Sequence, residues 1–153
     1  MAGRRFTILM ADDDADDRMF VREAFAGKPV EVKFVGDGLE LLDYLRCQGK
    51  YKENRNGHPR PDLILLDLNM PRMGGKEALA AIQADPRLRS IPVIILTTSR
   101  EECDVHQCYA LGANTYIVKP LSFDNLVETM NSLHIYWTDV ARLPVHAIPP
   151  DCA

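Results

Sequence analysis

The chain has 153 residues, 46% of them hydrophobic and 26% charged, which is typical of a globular protein with a single core. A formal net charge of −4 and the lack of a basic stripe argue against a protein that binds nucleic acid. There is no run of about 18 apolar residues and no apolar signal segment, so we expect a cytoplasmic protein that does not enter a membrane.

The first predicted strand, Phe6 to Met10, is mostly apolar and runs directly into a series of aspartates. Part of this series suits the start of a helix, because Asp14 can act as the N-cap and Asp17 is favoured near the positive end of the helix dipole. Asp12 and Asp13 remain at the end of the strand, before the cap. Two adjacent carboxylates are unfavourable there unless a cation shares them.

A second strand and a second helix are predicted next. Val30 to Val35 alternates apolar and polar residues, and Gly36-Asp37-Gly38 forms the turn into a helix that ends near Gly49. The segment from Lys50 to Arg60 is polar and contains asparagine, glycine and proline. We therefore predict a long, mobile surface loop here.

The most apolar predicted strand contains four consecutive aliphatic residues, Leu63 to Leu66, and is followed by Asp67 and, a little later, Pro71. Such a run is typical of a central strand of a parallel sheet, buried on both faces. We expect Asp67 to be its last residue, at the carboxyl edge where open α/β sheets bind ligands. From this stretch alone, the Asp67 carboxylate could equally be a helix cap or a reactive group.

Two further strands are predicted after the helix that ends at Asp85. The apolar run Ile91 to Leu96 finishes on Thr97, and Ser99 begins a sequence with the spacing of a capping box, so a helix should start there. The short apolar strand Tyr116 to Val118 then ends on a lysine and a proline.

The chain ends with an amphipathic helix, capped by Ser122, and an apolar tail. We predict one domain over residues 1–136 and a tail over residues 137–153, which is too short for another domain. The cysteines show no paired spacing, so we predict free thiols in a reducing compartment. They are Cys47, Cys103, Cys108 and Cys152.

Five successive strand-then-helix units predict a doubly wound α/β fold, a parallel five-stranded sheet with helices on both faces. Right-handed crossovers bring the carboxyl ends of all strands to one edge of such a sheet. Residues from four separate strands therefore meet at this edge. They are Asp12, Asp13, Asp67, Thr97 and Lys119.

This combination of side chains suits phosphoryl transfer. Clustered carboxylates provide the oxygen ligands that Mg²⁺ prefers, and a carboxylate can attack phosphorus to form an acyl phosphate. Attack by an anion requires that a metal ion and a lysine neutralise the developing charge, and Thr97 adds a hydroxyl donor for one phosphoryl oxygen. The edge therefore predicts phosphoryl transfer onto Asp67.

Six short sequence elements and the order in which they occur resemble the receiver domain of the two-component response regulators, which is related to the chemotaxis receiver. The resemblance covers Phe6 to Leu133 and implies a flavodoxin-like sheet with strand order 2-1-3-4-5. The elements are Asp12-Asp13, Asp67, Asn69-Met70-Pro71, Thr97, Tyr116 and Lys119-Pro120.

The resemblance also implies roles for these residues. Asp67 would be phosphorylated by a sensor histidine kinase. Asp13 and Asp67 would bind Mg²⁺ directly, Asp12 through water, and Asn69 through its backbone carbonyl. Lys119 would pair with the phosphoryl group, and its bond to the following proline would be cis. Thr97 and Tyr116 would form a switch pair that changes partner binding.

Features outside the six elements are similar to single-domain regulators paired with bacterial phytochromes. These are the loop Lys50 to Arg60, the run Leu96 to Ser99, and the tail. Such regulators tend to dimerise through the last helices and the tail, where Trp137, Leu143 and Val145 would be natural contacts. The alternative is that the tail folds back on its own domain.

We therefore expect a stand-alone response regulator that turns over no external substrate and is not an enzyme in that sense. One alternative is a phosphorelay intermediate that passes the group from Asp67 to a histidine phosphotransfer protein. Another is a phosphatase of the haloacid dehalogenase type, but Asn69 stands where those enzymes carry a second aspartate, and the chain lacks a cap domain.

Overall fold

The computed structural model describes residues 5–52 and 57–144. Five strands form one parallel sheet in the order β2-β1-β3-β4-β5, which confirms the predicted topology. The strands are β1 (Phe6–Ala11), β2 (Val30–Val35), β3 (Leu63–Leu66), β4 (Val93–Thr97) and β5 (Thr115–Val118).

Helices cover both faces of the sheet, with α1 and α5 on one face and α2, α3 and α4 on the other. None of the helices in the described ranges is long and apolar enough to span a membrane. The helices are α1 (Ala15–Ala24), α2 (Gly38–Arg46), α3 (Gly75–Ala84), α4 (Glu102–Ala110) and α5 (Phe123–Ile135), with a 3₁₀ turn at Gly49–Tyr51 and a π-helical turn at Tyr136–Val140.

The central strands are buried on both sides because successive side chains point to opposite faces of the sheet. In β3, Leu63 and Leu65 pack with α1 and α5, whereas Ile64 and Leu66 pack with the helices of the other face. All four leucine and isoleucine side chains are fully buried. The run is uninterrupted because alternate side chains of β3 pack into the cores on the two faces of the sheet, as the sequence indicated.

Two of the three predicted helix caps are confirmed. The Asp14 carboxylate accepts the N–H groups of the first turn of α1, and the Ser122 hydroxyl accepts from the third residue of α5. The predicted start of α4 at Ser99 is wrong, because α4 begins at Glu102. The Ser99 hydroxyl instead donates to the carboxylate of Asp104 in the first turn of α4, and residues 99–101 precede the helix.

The segment predicted as a polar, mobile loop is partly anchored to the domain. Tyr51 is buried, its hydroxyl donates to the Glu40 carboxylate, and its ring meets that of His58 at 4.8 Å between centroids. Tyr44 donates a 2.8 Å hydrogen bond to the carbonyl of Pro59. The composition of the segment did not reveal these contacts, because only a few of its residues, among them Tyr51 and His58, make them. Residues 53–56 lie outside the described ranges.

The C-terminal helix continues past residue 136, where we placed the end of the domain. It passes directly into the π-helical turn, and Trp137 packs, partly buried, against the core beneath α1 and α5. Leu143 is also partly buried, whereas Val145 and Cys152 lie outside the described ranges. Cys47, Cys103 and Cys108 are free thiols.

The first turn of α3 lies directly against the chain that leaves β3. The N–H of Gly75 donates to the carbonyl of Leu68 at 2.9 Å. A Cβ at Gly75 would overlap the carbonyl oxygen of Asp67 and lie 2.9 Å from the Cα of Leu68. Only glycine lets the helix approach Asp67 this closely.

We expect Gly75→Ala to lower the free energy of unfolding by about 2 kcal/mol, because the added methyl overlaps backbone that cannot move aside freely. This loss should outweigh the higher helix propensity of alanine. Chemical denaturation measures it. The control is Gly36→Ala, whose new Cβ would meet only Glu40, at an ordinary distance of 3.6 Å. Equal stability of the two variants would contradict the prediction.

Candidate functional site

The carboxyl ends of four strands carry the side chains that we predicted to meet. Asp12 follows β1, Asp67 follows β3, Thr97 ends β4 and Lys119 follows β5. Sheet pairing extends one residue past the strands, because the Asp67 N–H donates to the carbonyl of Ala11 at 3.0 Å and the Lys119 N–H donates to that of Thr97 at 2.7 Å. The backbone positions of these residues are therefore fixed by the sheet itself.

The Lys119 ammonium lies among three carboxylates. Its Nζ is 2.7 Å from Oδ2 of Asp12, 2.7 Å from Oδ2 of Asp17 and 3.3 Å from Oδ2 of Asp67. The lysine side chain is only 13% exposed. An ammonium has three N–H donors, and each of them has an anionic acceptor here.

Burial and charge act in opposite directions on these groups. Burial alone would lower the pKa of Lys119, but its bonds to Asp12 and Asp17 and the nearby charges outweigh burial and raise the pKa above its usual value. Lys119 is therefore fully charged at neutral pH. The pKa of Asp12 is raised, because the cost of burying its charge exceeds the stabilisation that Lys119 and the N–H of Asp14 provide.

Three carboxylates at this edge could share a metal ion. One oxygen from each of Asp12, Asp13 and Asp67 lies within 4.8 Å of the others. An all-oxygen donor set fits a hard divalent cation such as Mg²⁺, Mn²⁺ or Ca²⁺. Asp12 and Asp67 are buried, whereas Asp13 and Asn69 are exposed, so the cluster opens toward solvent on one side.

Asp67 combines burial with access. Its Oδ1 accepts a 2.7 Å bond from the N–H of Leu68, and Oδ2 faces the Lys119 ammonium. The residue keeps 8% of its surface exposed. Asp12 and Asp67 both contact Lys119 and both belong to the three-carboxylate cluster, but only Asp67 of these two keeps exposed surface.

Thr97 and Tyr116, the predicted switch pair, both connect to the loop between β4 and α4. Thr97 is fully buried, and its hydroxyl oxygen accepts a long 3.5 Å contact from the N–H of Ser99. The Tyr116 hydroxyl donates to the Ser99 carbonyl at 2.9 Å, and its partly buried ring packs against the core. Both side chains therefore contact the same short segment.

The structure corrects the prediction in two places. The bond between Lys119 and Pro120 is trans, as are all peptide bonds in the described ranges; the two isomers of such a bond differ by only about 1 kcal/mol. Asp17, a partner of Lys119, was missed as a site residue. The helix dipole already explained an acidic residue at this place in α1. The only other indication of a role in the site was the position of Asp17, three residues after the N-cap.

The fold and the acidic edge define a class of protein, a doubly wound α/β domain with carboxylates and a lysine at its ligand-binding edge. The sequence profile of the response regulator receiver domain matches residues 8–131. The chain belongs to this family, whose members are signalling proteins, and the predicted resemblance is confirmed.

Individual relatives resemble the chain over most of its length. Response regulator Rcp1 of Synechocystis sp. is 37% identical over 139 residues, 90% of this chain and 92% of Rcp1. The probable methanogenesis regulatory protein FilR2 of Methanothrix harundinacea is 36% identical over 141 residues, 91% of this chain and 88% of FilR2.

Solved structures show the same fold. The phosphorylated cyanobacterial phytochrome response regulator RcpA has a TM-score of 0.85 and 39% identity, covering 92% of this chain and 99% of RcpA. The Mn²⁺-bound form of Rcp1 has a TM-score of 0.81 and 36% identity, covering 91% of this chain and 99% of Rcp1. The relatives therefore include phytochrome response regulators.

We expect Lys119→Met to lower the free energy of unfolding in metal-free buffer at neutral pH by about 3 kcal/mol, because removing one partner of a buried ion pair leaves uncompensated charge. The folded pKa of Asp12 is already above its unfolded value, so the native variant binds protons more readily than the unfolded chain. The loss should therefore shrink as the pH falls toward the raised pKa of Asp12.

Urea denaturation at several pH values measures both effects. The control is Lys76→Met, which removes an ion pair with Asp104 whose lysine is 34% exposed, so its loss should be much smaller. A stability loss no larger than that of Lys76→Met, or one that grows on acidification, would contradict the prediction.

Proposed function

We propose that the protein is a response regulator that accepts a phosphoryl group on Asp67 from a sensor histidine kinase, using Mg²⁺. The observation that carries this proposal is the Lys119 ammonium placed between the carboxylates of Asp12 and Asp67. A cation so buried beside a carboxylate cluster suits a group that must accept further negative charge.

In this proposal Asp13 and Asp67 would hold the metal directly, Asp12 would do so through water, and Asn69 would contribute its backbone carbonyl. When bound, the ion would neutralise charge on the transferring phosphoryl group. A carboxylate oxygen of Asp67 attacks the phosphorus of a phosphohistidine, the P–N bond breaks, and an acyl phosphate forms.

Two residues of the chain then stabilise the new charge. Lys119 keeps its proton throughout and donates to a phosphoryl oxygen, and Thr97 turns its hydroxyl toward another. Because Thr97 and Tyr116 both contact the segment around Ser99, movement of the threonine would change the position of the tyrosine ring. We propose that this couples phosphorylation to partner binding.

The comparisons support a bacterial phytochrome as the kinase, because RcpA is a phytochrome response regulator. FilR2, which is named for methanogenesis regulation, is nearly as similar to this chain in sequence as RcpA is. Sequence identity alone therefore does not indicate the class of kinase, and this part of the proposal is based on the structural relatives. In this proposal the two proteins meet in the cytoplasm, and the regulator itself turns over no external substrate.

We also propose that the protein forms a homodimer through its last helix and the turn that follows. Large apolar side chains are exposed there, with Ile135 at 53% and Val140 at 68%. Tyr136 adds an aromatic ring that is half exposed. Exposed apolar groups concentrated at one end of a helix are typical of an interaction surface.

Incubation with Mg²⁺ and phosphoramidate, which carries the same P–N bond as phosphohistidine, tests phosphorylation. We expect intact-protein mass spectrometry to show the addition of one phosphoryl group, lost in Asp67→Asn and prevented by a chelator. Addition to Asp67→Asn, or steady release of phosphate from phosphate esters by that variant, would contradict the proposal and favour a phosphatase. Transfer onward to a histidine phosphotransfer protein would make the chain a relay.

Sedimentation velocity tests the dimer. We expect the wild-type protein to sediment as a dimer and the double variant Ile135→Glu, Val140→Glu as a monomer, because two charges would be buried unpaired in the interface. The control is Leu39→Glu, which changes a side chain of α2 that is 39% exposed and should leave the dimer intact. A wild-type monomer in both the unphosphorylated and phosphorylated states would rule the interface out.

A further inference from the structure

A third carboxylate, that of Asp17, bonds Lys119 and belongs to neither strand end. Its Oδ2 lies 2.7 Å from the Lys119 Nζ, and its side chain is 32% exposed. Asp16, the preceding residue, lies in the same first turn of α1 and is exposed. Both N–H groups are bonded to Asp14, so the two aspartates share a backbone environment but only Asp17 contacts the lysine.

The lysine is closer to Asp12 and Asp17 than to Asp67, at 2.7 Å against 3.3 Å. The Asp12 and Asp67 carboxylates are also two of the three that could hold a metal ion. An ammonium and a divalent cation therefore compete for the same two carboxylates. The position of the lysine sets how strongly it competes.

We propose that Asp17 is a positioning residue that holds the Lys119 ammonium partly away from Asp67 and so keeps the acidic cluster able to bind a divalent cation. This inference rests on the proposed function, because it concerns the metal site of the same phosphoryl acceptor. Without the Asp17 carboxylate, Lys119 has two anionic partners instead of three and settles more closely on Asp12 and Asp67. The site also loses one negative charge, and both changes weaken cation binding.

The affinity for Mg²⁺, measured by isothermal titration calorimetry on the full chain, tests the inference directly. We expect Asp17→Asn to weaken binding about tenfold, because the ammonium moves closer to the carboxylates that would hold the ion; changes to groups just outside the ligands of a metal ion have effects of this size. The control is Asp16→Asn, which removes the same charge from the same helical turn without touching Lys119. It should change the affinity far less, because an exposed charge is screened.

A double-variant cycle shows whether Asp17 acts through the lysine. In a Lys119→Met background, Asp17→Asn should cost no more affinity than Asp16→Asn does, because the competing cation is absent. A purely structural role of Asp17 would leave its effect the same in both backgrounds.

The outcomes separate this inference from the proposed function. Failure of the wild-type protein to bind Mg²⁺ or to accept a phosphoryl group would overturn the proposed function. Normal binding and phosphorylation of the wild type, with Asp17→Asn equal to Asp16→Asn or binding Mg²⁺ more tightly than the wild type, would overturn the positioning role alone.

Discussion

The constraint on which the site depends is electrostatic: one partly buried cation, Lys119, lies among carboxylates from two strand ends and one helix. Coulomb repulsion between carboxylates grows as water is excluded, and the raised pKa of Asp12 shows that burial is not fully offset even with the lysine present. With three carboxylates around a single ammonium, the edge has a deficit of positive charge. That deficit is what makes a divalent cation a favourable partner.

The sheet order explains why these groups meet. β1 and β3 are neighbours, so Asp12 and Asp67 emerge side by side, and Lys119 reaches them from the far strand β5 over the end of β4. All residues of β3 and β4 beneath the site are buried, and closely packed interiors resist deformation. The rigid sheet therefore keeps the carboxylates of Asp12 and Asp67 close together. On flexible loops, their mutual repulsion would move them apart.

Most of the fold and of the candidate site could be predicted from local patterns in the sequence. The apolar runs and the caps at Asp14 and Ser122 each had one physical explanation, and they indicated the fold. No single polar residue at a strand end was decisive, but their coincidence at four strand ends indicated the edge. Asp17 was missed because a helix dipole already explained it, and nothing local reveals a bond across 102 positions of sequence. The predicted start of α4 was wrong because Ser99 bonds Asp104, five residues further on, instead of capping the helix. The contact of Tyr51 with Glu40 was missed because it joins the loop to α2, an element that precedes it.

The loop after β4 connects the acidic edge to the outer helices. The Ser99 carbonyl accepts from Tyr116 of β5, and the Ser99 hydroxyl donates to Asp104 of α4, which in turn pairs with Lys76 of α3. In the proposed switch, Thr97 cannot turn toward a phosphoryl group without disturbing its contact with the Ser99 N–H. Hydrogen-bonded elements of this kind prefer discrete arrangements over continuous deformation. In the proposed switch, a small change at Asp67 would therefore pass through Ser99 to α4.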